Sequence, residues 1–511
     1  MFHAEKPSAL GSPQATFERA YPTLVGLLPS QVYWLTALSA RAVARTWEGR
    51  NMLTEVELDG TELPEVRTKI PGPRSLELAK RLAKHESPAA SGVSIGDTPV
   101  FWDRTRGATI VDVDGNRYVD LTAGFCVAVA GHSNPRIVAA IAEQAGRMMH
   151  SQGVANPNEK RVELVEKLAS LAPGNLSVAH VVNTGGEAVE TALKTARLHT
   201  GRHTVIAFQG AFHGKIGSSL AVTSNNFYRE PFVSVLPGTV HIPFPNEYRN
   251  PFGEGAGDSG DLCAHYLERV LTAPDSGVAD VAAIILEPIQ GHSGWVVPPA
   301  RFVQRVRELC SRLGILLIAD EIITGFGRTG DLFAMNHYGV VPDILVCGKG
   351  MASGFPISAV LMTPTIASSW HAYQQSTTFL GNPVGSAAAL ASIAEVEERG
   401  LVERSRIDGA YFKARLEDIQ ERHPIVGDVR GKGMMVALEL VKDRATKEPA
   451  PVESKKAMDR LLQRGIMCTN RGGPYHNILK MSPPLVITRE QLDVAIDAID
   501  ASLGDVEAEL D

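Results

Sequence analysis

Residues 314–330, GILLIADEIITGFGRTG, carry an apolar run that stops abruptly at two carboxylates. The residues just before them, ARFVQRVRELCSRLG at 300–314, have the apolar spacing of an amphipathic helix. A helix followed by a short, wholly apolar strand is typical of a parallel sheet that is buried on both faces. Asp320 therefore stands at the carboxyl end of such a strand, where the active sites of these sheets lie.

The same alternation of strands and helices runs from about Asn158 to Ala389. The predicted strands lie in AHVVN (179–183), TVIAFQ (204–209), VAAIILEP (281–288), ILLIAD (315–320) and DILVCGK (343–349). This pattern predicts an α/β fold with a mostly parallel sheet in a large domain. Strands and helices alternate again after Gly400, which predicts a smaller α/β lobe. The predicted divisions are residues 1–85 (N-terminal extension), 86–155 (first part of the small lobe), 156–395 (large domain) and 396–511 (C-terminal small lobe).

Two local features of the N-terminal part are predicted with more detail. Prolines at 64, 71 and 73 precede a predicted helix over residues 75–84. The pair Asp114-Gly115 predicts a hairpin turn between two strands.

Residues 20–40 contain no charge, but prolines and polar residues interrupt them. We therefore expect amphipathic packing on the protein's own surface and no transmembrane segment, with interfacial membrane contact as the alternative.

The bulk composition excludes several classes of protein. The chain has 511 residues, of which 44% are hydrophobic and 21% charged, so disorder is not expected. The net charge of −7 favours solubility, and no basic stripe indicates a nucleic-acid partner. Five scattered cysteines without a CxxC pair predict neither disulfides nor a metal site. We expect a cytoplasmic protein.

Lys349 is the leading candidate for chemistry. It stands between two glycines in VCGKGMASGFPISAVL (346–361), at the end of an apolar strand. Burial lowers the pKa of a lysine, so that its amine can attack an aldehyde. Flanking glycines allow a bulky cofactor to approach the backbone. A lysine in a solvated turn is the alternative.

Asp320 is the second candidate. A carboxylate at the end of an apolar strand is costly to bury unless a cationic or protonated group pairs with it. A pyridinium nitrogen is such a partner, and the pairing keeps the nitrogen protonated so that the ring accepts electrons. A metal ligand or a structural salt bridge is the alternative for Asp320-Glu321. Glu321 is expected to serve structure or charge balance.

Three further motifs are candidate binding segments, and the first two of them follow predicted strands. In VVNTGGEAVETALKTAR (181–197), Gly185 and Gly186 precede a helix whose first amides can bind an anion. In FQGAFHGKIGSS (208–219), Phe212 and His213 can lie against a planar ligand, although an ordinary core contact explains them as well. In TTFLGNPVGSAAALA (377–391), Thr378 can bind phosphate or serve only a turn and helix cap.

Taken together, these motifs resemble the class III aminotransferases over about residues 96–502. The shared motifs are IADEIITGFGRTG, the CGKG lysine and TTFLGNP, in the family's order. The resemblance implies a fold type I transferase that depends on pyridoxal 5′-phosphate and works as a homodimer with active sites at the subunit interface. It implies small-molecule amine and 2-oxo acid substrates.

The resemblance also implies a role for each matching residue. Lys349 would hold the cofactor as an aldimine and move the substrate proton. Asp320 would bind the pyridine nitrogen, Phe212 would stack on the ring, and His213 would belong to the cofactor-binding residues. Gly185 and Gly186 would cup the phosphate, helped by Thr378 from the partner subunit. Glu287, in LEPIQG (286–291), would lie near the ring edge, and Phe125 would line the substrate pocket.

Three positions depart from the 4-aminobutyrate and ornithine enzymes of this family. Ile323 replaces a glutamine that binds the cofactor's phenolic oxygen. His292 replaces a glutamate that neutralises a substrate-binding arginine, and Lys480 replaces that arginine. Lysine lacks the two-pronged guanidinium. The expected reaction is transfer of an amino group from an amine or ω-amino acid to a small 2-oxo acid such as pyruvate. Racemisation or phospho-amine elimination on the same scaffold, and a non-catalytic relative, are the alternatives.

Overall fold

The computed structural model describes residues 58–93, 99–469 and 472–510. The segment 20–40, for which surface packing is predicted, lies outside these residues, as does most of the N-terminal extension. In the part of the chain that is described, no helix is both long and apolar enough to cross a membrane.

Strands and helices alternate along the described chain. The strands are β1 Trp102–Arg106, β2 Thr109–Asp112, β3 Arg117–Asp120, β4 Val178–Val182, β5 Thr204–Phe208, β6 Thr239–Ile242, β7 Val281–Leu286, β8 Leu316–Asp320, β9 Ile344–Cys347, β10 Ser358–Met362, β11 Val426–Lys432, β12 Met435–Asp443, β13 Glu448–Pro449, β14 Ile466–Met467 and β15 Ile478–Met481.

The helices of more than one turn are α1 Pro73–Leu82, α2 Pro135–Arg147, α3 Glu159–Leu171, α4 Gly185–Thr200, α5 Gly217–Val222, α6 Ser259–Thr272, α7 Ala300–Leu313, α8 Pro383–Glu398, α9 Leu401–Arg422, α10 Pro451–Gln463 and α11 Arg489–Glu507. Short helical segments, several of them 3-10 helices, lie at Ala123–Cys126, Asn226–Arg229, Glu230–Val235, Ala334–Tyr338, Lys349–Met351 and Pro364–Ala367.

A seven-stranded sheet forms the centre of the molecule, in the order β4-β10-β9-β8-β7-β5-β6. Only β10 runs antiparallel to its neighbours. Every residue of β7 is buried, as expected for a strand that is covered on both faces. The predicted mostly parallel sheet is therefore confirmed. Because the other six strands run the same way, the turns after β4, β8 and β9 meet at one edge.

Two smaller sheets lie beside the central one. β1, β2, β3 and β14 form the first, in which β14 from the C-terminal part pairs in parallel with β3. β11, β12, β13 and β15 form the second. The predicted hairpin is confirmed: β2 and β3 are antiparallel, and Gly115 between them has a φ of +86°.

The predicted helix over 75–84 is observed at Pro73–Leu82. It begins earlier because Pro73 occupies its first turn, where the missing N–H costs nothing. The Asp114 carboxylate accepts hydrogen bonds from the backbone amides of Arg74 and Ser75, at 2.7 and 2.9 Å. These bonds fix the start of the helix to the hairpin turn.

Candidate active site

Asp320 and Lys349 lie together at the carboxyl edge of the central sheet. Asp320 ends β8 and pairs in register with Val346 of β9, and Lys349 follows Val346 by three residues, just beyond the end of that strand. Asp320 is 4% exposed. One carboxylate oxygen accepts from the Ile322 amide at 3.1 Å, and the other lies 2.7 Å from Nδ1 of His213.

The backbone around Lys349 requires its two glycines. Lys349 has a φ of +40° and begins a single helical turn after β9. A Cβ on Gly348 would stand 2.5 Å from Oγ of Ser358, and one on Gly350 would stand 2.5 Å from the Val129 side chain. Because these neighbours leave no room for a Cβ on either side, the backbone position of Lys349 depends on both glycines.

Burial lowers the pKa of the Lys349 amine. The charges of Cys126, Asp320 and Glu287 act in the opposite direction, yet burial is the larger effect. A lowered pKa increases the neutral, nucleophilic fraction of an amine. The lysine therefore has the protonation behaviour that attack on an aldehyde needs.

A second carboxylate, Glu287, follows β7. It is 3% exposed and accepts from the amides of Phe212 at 3.0 Å and Gly291 at 2.9 Å. Burial raises its pKa, although the nearby charge of His213 opposes the shift. The Glu287 carboxylate thereby links the backbone at Phe212 to the turn at residues 287–291.

The N-terminus of α4 has the features of an anion site. The Thr184 side chain caps this helix by accepting from the Glu187 amide at 3.3 Å, and Glu187 bonds back to the Thr184 amide at 3.1 Å. The amides of Gly185 and Gly186 fall in the first turn, which leaves them without helical acceptors. A Cβ on Gly185 would stand 2.9 Å from Ile322, so the turn after Asp320 packs directly against this helix end.

A cavity of about 370 Å³ opens beside Lys349. Six residues that the sequence predicted for the site line it: Phe125, Phe212, His292, Ile323, Lys349 and Lys480. The other lining residues are Thr122, Cys126, Lys215, Tyr228, Gly291, Trp295, Thr469 and Ser482.

Lys480 reaches this cavity from β15 and is 8% exposed. Its amine donates to the Gly291 carbonyl at 3.3 Å and lies 4.8 Å from the centre of the Trp295 ring. Burial, together with the charge of Lys349, lowers the pKa of Lys480 to about 8. The pKa of His292 falls to about 4, chiefly through burial, so this ring is neutral near pH 7. No ion pair to Lys480 occurs among the residues that the structure describes.

Thr378 is the one predicted residue that stands apart. It is exposed, in the segment before α8, and it does not line the cavity beside Lys349. Its neighbour Thr377 accepts from the Asn183 side chain at 3.1 Å, which places this segment near the start of α4.

Sequence reasoning missed Cys126, Lys215, Tyr228 and Trp295 as cavity residues. Trp295 follows the recognised QGHSG segment directly, and Lys215 follows His213 by two positions, so proximity to those motifs was the available signal. Cys126 directly follows Phe125, so the same signal was available for it. It lies in a turn where Phe125 and Cys126 have φ values of +66° and +65°, and this turn directs the chain past the cavity.

These residues fit a flat pyridine ring that carries a phosphate and an aldehyde. Asp320 provides a buried carboxylate for the ring nitrogen, and Phe212 provides an aromatic face. The first turn of α4 provides free amides for the phosphate, and Lys349 provides an amine of lowered pKa. His213 contributes a buried Nε2 that, within the described residues, has no hydrogen-bond partner.

Comparisons with known proteins agree with this assignment. The family model described as Aminotransferase class-III matches residues 91–503. The chain is 38% identical to a 4-aminobutyrate aminotransferase of Mycobacterium leprae over 441 residues, 86% of this chain and 97% of the relative. It is also 38% identical to an isoleucine 2-epimerase of Lentilactobacillus buchneri over 411 residues, 79% of this chain and 90% of that protein.

Among solved structures, a thermostable (S)-enantioselective omega-transaminase from Thermomicrobium roseum superimposes with a TM-score of 0.79. The two sequences are 33% identical, and the match covers 86% of this chain and 100% of the other. The chain therefore belongs to the class III aminotransferase family and is a pyridoxal-phosphate-dependent transaminase.

Proposed function

We propose that this enzyme moves the amino group of a primary amine or ω-amino acid to a small 2-oxo acid, with Lys349 as the residue that holds the cofactor. The observation that carries the proposal is the Lys349 amine, which has a lowered pKa and faces the substrate cavity. The 4-aminobutyrate aminotransferase among the relatives supports an ω-amino acid as donor.

Each residue of the site has a distinct task in this proposal. The bound cofactor supplies an electron-withdrawing ring. Asp320 holds the ring nitrogen protonated, and His213 fixes the orientation of that carboxylate through its 2.7 Å contact. Phe212 covers one face of the ring. Lys349 moves the proton to and from the carbon that bears the amino group.

The remaining residues bind and orient. The amides of Gly185 and Gly186 hold the phosphate, with Thr378 of the partner subunit as a further donor. Glu287 sets the position of Phe212. Ile323 provides an apolar wall, because its side chain has no atom that can bond the phenolic oxygen.

Lys480 and His292 determine the acceptor. Lys480 offers a single cation to the carboxylate of a 2-oxo acid. His292, neutral near pH 7, cannot mask that cation as a glutamate would. A dicarboxylate needs two cationic contacts, so we propose that pyruvate is a better acceptor than 2-oxoglutarate.

Racemisation of an amino acid is the second candidate function. The 38% identity with the isoleucine 2-epimerase favours it, and the Lys349–Asp320 arrangement serves both reactions. The two differ in their products: racemisation inverts the donor carbon and consumes no 2-oxo acid.

We also propose that the enzyme is a homodimer. The segments around Met149 and Phe379 lie together, since the Asn382 side chain donates to the Met149 carbonyl and the rings of His150 and Phe379 are 5.3 Å apart. Met149 is 71% exposed and Phe379 56%, and apolar surface of this kind marks an interface.

The domain divisions and the location in the cell remain proposals. Residues 86–155 and 396–511 form one small lobe in this proposal, supported by the pairing of β14 with β3. The large domain, 156–395, contains the seven-stranded sheet. We place the enzyme in the cytoplasm because all five cysteines are free and four are buried.

The test is a panel of amine donors with pyruvate or 2-oxoglutarate, with chiral analysis of donors and products. A higher kcat/KM for pyruvate, with alanine formed in proportion to donor consumed, is the expected result. A donor that inverts without loss of its amino group identifies a racemase instead.

A further inference from the structure

A second cleft, of about 780 Å³, adjoins the substrate cavity. His292 lines both spaces. Ile478 lines the cleft and Lys480 the cavity, and residues two apart on a strand share one face. The two spaces therefore lie side by side along β15, and their lining residues are separated by two residues of the strand, or about 7 Å.

The short helix Asn226–Arg229 continues the boundary between the two spaces. Tyr228 faces the cavity, and Arg229 faces the cleft. Asn225, the cap of this helix, lies 2.8 Å from Nε2 of His292. The boundary between the substrate cavity and the cleft therefore contains the polar side chains of His292 and Asn225.

Arg229 has no charged partner within the described chain. Burial lowers the pKa of its guanidinium, and its Nε is buried without a hydrogen-bond partner among the residues that the structure covers. Among the residues that the structure describes, no carboxylate forms an ion pair with it. An unpaired, partly desolvated guanidinium binds carboxylate and phosphate groups strongly.

The other ionisable groups of the cleft do not cancel this charge. Its carboxylate, Glu439, is already held by Arg249 and Arg430. Arg430 also pairs with Asp428 at 2.6 Å. Burial lowers the pKa of His241 to about 4, so this ring is neutral near pH 7. The cleft therefore carries a net positive charge at Arg229.

We propose that this cleft binds the anionic end, a carboxylate or phosphate, of an extended amine substrate, with Arg229 as its cationic contact. The proposal rests on the proposed transaminase function and extends it to a substrate class. A short ω-amino acid ends at Lys480, whereas a longer one passes His292 and ends at Arg229.

The test compares donors that differ in length and in terminal charge. Holoenzyme is assayed with 4-aminobutyrate, 8-aminooctanoate and the uncharged butylamine and octylamine. In Arg229→Gln, we expect the ratio of kcat/KM for 8-aminooctanoate to that for octylamine to fall about tenfold. The ratio for the two short donors should stay unchanged. Arg269→Gln, which alters an exposed arginine in the last turn of α6, should change neither ratio.

Calorimetry with suberate supplies a reading that needs no turnover. Suberate is neither an amine nor an oxo acid, and we expect its Kd to rise about tenfold in Arg229→Gln and to stay constant in Arg269→Gln. Equal suberate affinity in wild type and Arg229→Gln overturns the cleft proposal, as does an unchanged long-donor ratio. Absence of turnover with every donor counts against the proposed function alone, and suberate binding then still decides whether the cleft is an anion site.

Discussion

Lys349 is one of three lysines that line the substrate cavity, beside Lys215 and Lys480. Only Lys349 directly follows a central strand of the large sheet. We expect borohydride to fix the cofactor covalently to wild type and to Lys215→Ala, and the Lys349→Ala variant to lose it on denaturation. Mass spectrometry of the reduced, unfolded chains measures this. Covalent cofactor in the Lys349→Ala chain would assign the attachment to another lysine.

In the proposed function Asp320 acts through its charge, so replacing it by the neutral amide of the same shape isolates that charge. We expect Asp320→Asn to keep the fold and to lower kcat by about a hundredfold or more, because the ring nitrogen loses its ionic partner. Single-turnover absorbance changes measure the loss at the chemical step. Near-normal turnover by this variant would remove Asp320 from the cofactor shell. The control is Asp331→Asn, which lies outside the cavity.

In the proposed function, Lys480 makes acceptor binding sensitive to pH. Its pKa is lowered to about 8, so the cation is present below that pH and is lost above it. We expect the Kd of propionate, a carboxylate without reactive groups, to rise as the pH passes from about 7 to about 9. Lys480→Gln should bind weakly at every pH.

Lys480→Arg is the matched control, because an arginine stays protonated throughout this range. It should retain propionate binding at high pH. A pH profile for Lys480→Gln that copies the wild-type profile would show that another group, such as Lys349, is responsible.

The sequence could predict Lys349 and Asp320 because each ends an apolar run, and such breaks can be read locally. Cys126 and Trp295 could not be identified in the same way. Each of them reaches the cavity through a tertiary contact: the Cys126 thiol donates to Ser482 Oγ at 3.1 Å, and the Trp295 indole donates to the Met481 carbonyl at 3.2 Å. These partners lie far away in the chain.

At the scale of elements, the predicted helices and parallel strands were readable from their periodicity, but β10 was not. Its sequence, SAVLM, directly follows the lysine motif and reads as part of the same small-residue segment. β10 inserts between β4 and β9 and runs against both. A strand order of this kind depends on long-range pairing, which local pattern does not encode.

The Glu321 carboxylate, just after β8, is hydrogen-bonded to the turn Ala334–Tyr338. It is fully buried and accepts from the amides of Ala334 at 3.0 Å and Met335 at 2.8 Å. Glu321→Gln retains only one accepting oxygen. We expect it to destabilise the fold by about 1–3 kcal/mol, the cost of an unsatisfied buried amide. The thermal unfolding midpoint measures the change, with the exposed Glu308→Gln as control.

The same pair of variants also tests the pKa of Glu321, which burial raises to about 7. Because the folded state holds this proton more tightly than the unfolded state, ionisation weakens folding as the pH rises from about 4.5 to about 7. The difference in the free energy of unfolding between wild type and Glu321→Gln should therefore become smaller over that pH range. A difference that grows with pH would mean that Glu321 is ionised throughout.

At the scale of the whole molecule, the sequence predicted an α/β fold with a mostly parallel sheet, and the structure confirms it. The cleft beside the substrate cavity was not predictable, since its walls come from five separate parts of the chain: residues 209–210, 224–251, 290–296, 439 and 473–478. Nor does the pattern of one chain show where Thr378 acts. That residue is exposed in the single chain, and we propose that it acts in the site of a partner subunit.

Subunit complementation tests the shared site. The Lys349→Ala and Thr378→Ala chains are mixed, unfolded and refolded together, and the hybrid is isolated by two affinity tags. In the hybrid, only the Thr378→Ala chain has the attachment lysine, so all activity comes from its site. If Thr378 acts across the interface, that site receives Thr378 from the other chain and binds the cofactor as tightly as wild type does. We expect this result, whereas the Thr378→Ala homodimer should bind the cofactor more weakly because it lacks the phosphate donor at both sites. A hybrid with the weakened affinity of the Thr378→Ala homodimer would place Thr378 in its own subunit's site, and a homodimer that binds the cofactor as tightly as wild type would place it outside both sites.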